Sequence, residues 1–241
     1  MSKLWRVAPA VALTRPPVAQ FMLAVALAAF LSSSAPVHAQ VIKKLFAHDD
    51  VALSGSYVVG TSVTAIPPNS AAAIPVTEKP STSAAIMVTG RYTHSRFIGF
   101  EANYSFTSLD EDFSIKNPRG GSPAMVPYPK LIGGAQSTME ELSLGYIAHA
   151  PTVFGVVPFV GAGIGVISFE PTPYGGQSLP PQARMEYYGT IGADAAFTPH
   201  FGVRAQMRDL FYMAPDYGQN YLTTYKHTMT FEPTIGFYYH F

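Results

Sequence analysis

From about residue 48 onward the chain alternates apolar and polar residues with a period of two, and no segment of helical period stands out. Such alternation marks strands whose two faces meet different surroundings. The clearest run is 98–107. Ile98, Phe100, Ala102, Tyr104 and Phe106 fall on one face, with Gly99, Glu101, Asn103, Ser105 and Thr107 on the other. The last run is equally regular: Met229, Phe231, Pro233, Ile235, Phe237, Tyr239 and Phe241 alternate with Thr230, Glu232, Thr234, Gly236, Tyr238 and His240. Weaker alternation over 51–59, 86–92, 141–146, 160–166, 186–197 and 201–208 brings the predicted strands to eight.

The connections carry separate information. Three are tight, at 93–96, 149–156 and 198–200. Four are long, at about 61–83, 108–136, 169–184 and 213–226, and rich in Pro, Gly, Ser and Asn. Long and short alternate strictly, an asymmetry of bacterial outer-membrane barrels. Strands of roughly 9–11 residues also suit a tilted crossing of a bilayer. The expected fold is therefore all-β: an eight-stranded antiparallel up-and-down transmembrane β-barrel with short periplasmic turns and four long extracellular loops.

The charges decide which face points out. Arg91, Glu101, Glu141, Glu186, Asp194, Arg204, Arg208 and Glu232 all fall on the polar face, and the apolar face is nearly free of charge. Glu140 and Asp209 are its exceptions, both near predicted loop ends. A soluble barrel would turn the apolar face inward, whereas a barrel in lipid turns it outward and closes so that every backbone group is satisfied. The interior of eight strands is about wide enough for side chains to fill. Charges enclosed there are expected to pair, since an unpaired one costs several kcal/mol. Aromatics at strand ends fit two interfacial girdles: Tyr92, Tyr146, Phe197, Phe201 and Tyr239 at the periplasmic rim, and Tyr57, Phe106, Tyr187, Phe211 and Phe231 at the outer one.

Composition supports this reading. Charged residues are only 12% of the 241, about half the usual share, while Tyr and Phe number 14 and 16. The chain has no cysteine, which excludes a disulfide framework and a thiolate nucleophile or ligand. Residues 1–39 read as a cleaved signal peptide. Lys3, Arg6 and Arg15 precede the apolar run Phe21–Leu31, and Val37-His38-Ala39 places small residues before a cut at Gln40. Residues 40–241 then form one barrel domain. Without the leader, 12 basic residues stand against 15 acidic ones, a balance that argues against nucleic-acid binding.

Catalytic and metal chemistry find little support. The seven histidines are scattered, with no close ligand pair, and neither a metal nor a cofactor is expected. A lipid A-modifying barrel enzyme would need a serine beside a histidine and an acid. His227 has Thr228 and Met229 next to it, and Ser54 and Ser56 belong to the polar face. Asp110-Glu111-Asp112, in the second long loop, lacks the ligand spacing of a calcium loop. Gly161, Gly163 and Gly165 are expected to permit curvature and to leave room for large inward neighbours such as Tyr188 and Tyr238.

Gly236-Phe237-Tyr238-Tyr239-His240-Phe241 resembles the C-terminal signature of bacterial outer-membrane proteins, with Ile235, Phe237, Tyr239 and Phe241 at its alternating positions. Pro158–Gly165 looks like the PYVGAGxG strand of small OmpA-like and opacity-type barrels. Arg204–Tyr212 is similar to their seventh strand. The resemblance spans residues 48 to 241 and speaks for the fold more than for an activity. It implies barrel-assembly machinery as a partner during biogenesis, and lipid and lipopolysaccharide as surroundings. Nothing resembles a peptidoglycan-binding domain, so no cell-wall anchoring is expected. The expected role is a non-enzymatic, structural or adhesion-type surface protein acting through its loops; a narrow pore stays open as the alternative. No surface ligand can be read from the residues.

Overall fold

A computed structural model describes residues 49–67, 75–115, 130–219 and 224–241. The expected signal peptide and its cleavage before Gln40 lie outside the described residues. The strands, in chain order, are β1 (Asp49–Gly60), β2 (Val63–Ala65), β3 (Val76–Pro80), β4 (Ser83–Thr93), β5 (Ile98–Ile115), β6 (Lys130–His149), β7 (Val156–Pro171), β8 (Gln182–Ala196), β9 (Phe201–Met213) and β10 (His227–His240).

Eight of these close into a ring. Each pairs antiparallel with its chain neighbour, and β10 returns to β1 with Ser54 opposite Gly236 and Val51 opposite Tyr239. Closure leaves no free edge in the ring, which is what hydrocarbon requires of a backbone. The short strand β3 continues the line of β4 along the same edge of β5, pairing with it from Glu111 to Ile115 and burying Val76 and Glu78, and β2 pairs with β3.

Three of the expected long connections are therefore partly sheet, 169–184 losing three residues at each end to β7 and β8. The region 61–83 contains β2 and β3. Much of 108–136 continues β5 and β6, which stay paired from Ser108–Thr138 up to Ile115–Lys130. The alternation simply carries on: Leu109, Glu111 and Phe113 remain buried, facing the same interior as Ala135, Ser137 and Met139. A strand length matched to a bilayer stops at the lipid boundary, but a paired ribbon can continue into water as long as its inner face stays covered.

The packing is inverted relative to a soluble protein. Leu53, Ile86, Leu144, Ile164, Ile191 and Ile235 are more than half exposed, while Arg91, Glu101, Glu141, Arg204 and Arg208 are buried. Along β8 the exposed apolar residues run from Met185 through Tyr187 and Ile191 to Phe197, just past the strand end. Twelve steps at about 3.3 Å and a tilt of about 40° span roughly 30 Å, the thickness of a hydrocarbon layer. The rim aromatics are exposed at both ends of this band. At the short-turn end Phe201 and Phe241 pack edge-on against Tyr239, with ring centroids 5.0 and 5.1 Å away.

Candidate functional site

The inner face arranges the charged residues in two levels. Nearest the short turns, Arg91 on β4 donates from Nη2 to Glu101 Oε2 at 3.0 Å and from Nη1 to Asp194 Oδ2 at 2.9 Å. Arg204 on β9 reaches the same aspartate, its Nε 2.8 Å from Oδ1, and donates from Nη2 to Asp50 Oδ2 at 3.1 Å. Asp194 thus bridges two arginines. The Phe159 ring lies 4.3 Å from the Arg91 guanidinium carbon, and the Tyr238 ring 5.2 Å from that of Arg204. Asp50 was not among the charges expected in the lumen, although it shares the parity of Ala52 and Ser54 and continuing β1 by one step would have found it.

The second level is built around Arg208. Its Nη1 donates to Glu141 Oε2 at 3.0 Å and Glu232 Oε2 at 2.9 Å, and its Nη2 donates to Glu141 Oε1 and to Ser143 Oγ at 3.3 Å. Glu186, fully buried, faces the same group. One guanidinium therefore meets three carboxyl groups. Tyr188 connects the levels: its hydroxyl donates to Glu101 Oε1 at 3.2 Å while its ring lies 4.9 Å from the Arg208 guanidinium carbon. Asn103 adds a second link, donating to Glu101 Oε1 at 3.1 Å and to Ser143 Oγ, a partner of Arg208, at 3.5 Å. All eight charged residues of the polar face thus point into the ring, four at each level.

Tyr188 crosses the lumen because two strands lack side chains beside it. A Cβ at Gly163 would strike Tyr188 Cε1 and the Leu144 carbonyl oxygen; one at Gly145 would strike the Tyr188 hydroxyl. The other expected neighbour of the glycine run, Tyr238, lies instead over Gly202 on β9. The run and Tyr238 sit on strands that do not pair, so their sequence patterns say nothing about that contact.

Above the lipid-facing band the filling becomes apolar. Leu109, Phe113, Met139, Ile167, Phe169, Leu210 and Tyr212 pack with Tyr217, which enters from the segment after β9. The Tyr217 hydroxyl donates to Glu111, and Ser137 Oγ lies 3.3 Å from the same oxygen. Gln182 Oε1 accepts from the N–H groups of Asp216 and Tyr217 at 2.9 and 3.0 Å, while Arg184 Nη2 donates to Asp216 Oδ1 at 3.1 Å. Burial pushes the Glu111 carboxyl up to about 8. Burial, with Glu111 and Asp216 nearby, raises Glu78 as well. Tyr217 has no warning in sequence, but Glu111 has one: it continues the inward parity of Glu101 and Asn103.

Other candidates are kept apart. His227 stacks on Phe211 at 4.8 Å on the outer face, whereas Ser54 and Ser56 face the lumen. The acidic triplet is on β5, not in a loop, so alternation turns Glu111 inward and Asp110 and Asp112 outward. Ile235, Phe237, Tyr239 and Phe241 share the outer face of the last strand and its end, and the Phe241 N–H donates to the Asp49 carbonyl at 3.2 Å.

No protein-family model matches the sequence, and no curated protein matches it closely enough to count as a relative. Solved structures do match. Neisserial surface protein A is 13% identical with a TM-score of 0.52, covering 80% of this chain and 97% of its own. The outer membrane protein OprG from Pseudomonas aeruginosa is 12% identical, also with a TM-score of 0.52, covering 81% of this chain and 96% of its own. Identities this low establish a common fold only. The chain folds as a small outer-membrane β-barrel. The described strands of this barrel enclose two charged levels and an apolar cap.

Proposed function

We propose that the chain serves the outer membrane as a closed, surface-exposed scaffold whose extended β5–β6 ribbon and neighbouring loops meet an external partner. The observation that carries this reading is the filled lumen beneath a ribbon that rises well past the lipid-facing band. Arg91, Arg204, Arg208 and Tyr188 occupy the cross-section within the band, and Phe113, Phe169 and Tyr217 occupy it above. Eight strands enclose little more room than such side chains need. In the same reading the short turns face the periplasm, residues 1–39 are removed on export, lipopolysaccharide surrounds the outer rim, and the assembly machinery reads Ile235, Phe237, Tyr239 and Phe241. The role is non-enzymatic, which the separation of His227 from Ser54 and Ser56 supports among the described residues.

Two measurements test it. In planar bilayers the folded protein is expected to stay silent; steady stepwise openings would establish the narrow pore instead. A variant with β5 and β6 joined just above Thr107 and Met139 is expected to keep the gel shift of a closed barrel and to lose attachment of whole cells to surfaces. Undiminished attachment by that variant overturns the role given to the ribbon.

A further inference from the structure

The turn between β6 and β7 combines two features that do not belong together in water. Val153 and Val156 bond to each other in both directions, N–H to carbonyl, at 2.8 and 3.0 Å, leaving Phe154-Gly155 as a two-residue loop. Both loop residues have positive φ, 51° and 82°. Glycine suits that geometry, and its first position favours asparagine or aspartate; a bulky aromatic is strained there. Yet Phe154 is 103% exposed and packs against nothing that would offset the strain. A strained ring bare to water is disfavoured twice over, but the same turn is well made for projecting a ring away from the barrel into an apolar layer.

The rest of this end agrees. Each of the three short turns bears an exposed phenylalanine: Phe97, Phe154 and Phe197. The Arg96 guanidinium carbon lies 4.4 Å from the Phe97 ring centre. A ring paired with a cation suits the boundary between acyl chains and phosphate headgroups. The patch is continuous with the lipid-facing wall through Val153, Tyr146, Val160 and Phe201.

We propose that the short turns form an interfacial anchor, with Phe154 at its tip seated among the phospholipids of the short-turn leaflet. The anchor fixes the depth of the barrel at the end where the loops offer no grip, and it rests on the membrane-spanning reading of the strands. The chain has no cysteine, so single-cysteine variants of the full chain report one site each. F154C, I164C and Y174C would be labelled with an environment-sensitive fluorophore and reconstituted into phosphatidylethanolamine–phosphatidylglycerol vesicles with brominated acyl chains. Tyr174, at 102% exposure on the long-loop side, is the matched control for Phe154.

Quenching at 154 is expected to approach that at 164 and to exceed that at 174 several-fold. If 164 is quenched and 154 behaves like 174, the anchor is overturned while the barrel reading stands; if 164 is unquenched, the barrel reading itself fails. A label at 154 shielded in native envelopes but not in vesicles would point to a periplasmic protein and overturn the lipid assignment. Should F154C not give the gel shift of folded barrel, V153C reports on the same turn.

Discussion

Replacing Arg208 by methionine keeps much of the side-chain volume and removes the charge. The guanidinium donates two bonds to Glu141, one to Glu232 and one to Ser143, and sits over Tyr188. Three fully enclosed glutamates then remain with no cation at their level. Breaking a buried ion group by removing one partner costs roughly 3–5 kcal/mol, a large part of a stability of about 5–15 kcal/mol. The expected loss is therefore about 3–5 kcal/mol, or between two and four decades in the folded-to-unfolded ratio. Urea unfolding in lipid vesicles, followed by the gel shift between folded and unfolded protein, measures it. The triple variant R208M/E141Q/E232Q should regain most of the loss, because the carboxylates leave together with their partner. An R208M protein within about 1 kcal/mol of the parent, or a triple variant no more stable than R208M, would refute the view that this level is held by ionic pairing.

Three further outcomes are expected. G163V drives a side chain into Tyr188 and the Leu144 carbonyl, with an overpacking cost of about 1–3 kcal/mol. G163V/Y188A should fold better than G163V alone in the same urea assay. The Glu111 carboxyl, held at about 8 against an ordinary 4.5, keeps a proton that the unfolded chain releases. Its contribution is complete below about pH 4.5, declines as pH rises by at most about 1.4 kcal/mol per unit, and is gone by about pH 8. Amide exchange across the upper parts of β5 and β6 should quicken over that window and lose the trend in E111Q. F241S should leave the urea midpoint of refolded protein almost unchanged yet lower the amount of folded protein recovered from outer membranes, as the proposed role of Phe241 in assembly requires.

Much of this molecule is legible without coordinates. The pleat of a strand sets a side-chain period of two. A lipid environment imposes opposite chemistry on the two faces, so alternation with charges on one side reveals both the strands and their orientation. Glu101, Asn103 and Glu141 could be placed in the lumen on that ground alone, and the alternation of short and long connections reveals up-and-down order. Strand ends were harder to see, because nothing in the local pattern of Leu109, Glu111 and Phe113 says where lipid stops and water begins.

Tertiary structure decided who meets whom. Arg204 reaches Asp50 across 154 residues and Arg91 reaches Asp194 across 103. Both contacts depend on ring closure and on the stagger between strands, which period-two patterns leave free. Tyr217 and Phe154 are further cases: one is hidden in the apolar cluster above the charged levels and the other bared at a turn, although each is an aromatic residue directly before a glycine with positive φ. Their local sequences do not distinguish them. What does is whether the folded barrel places an apolar cavity or an open boundary beside the ring.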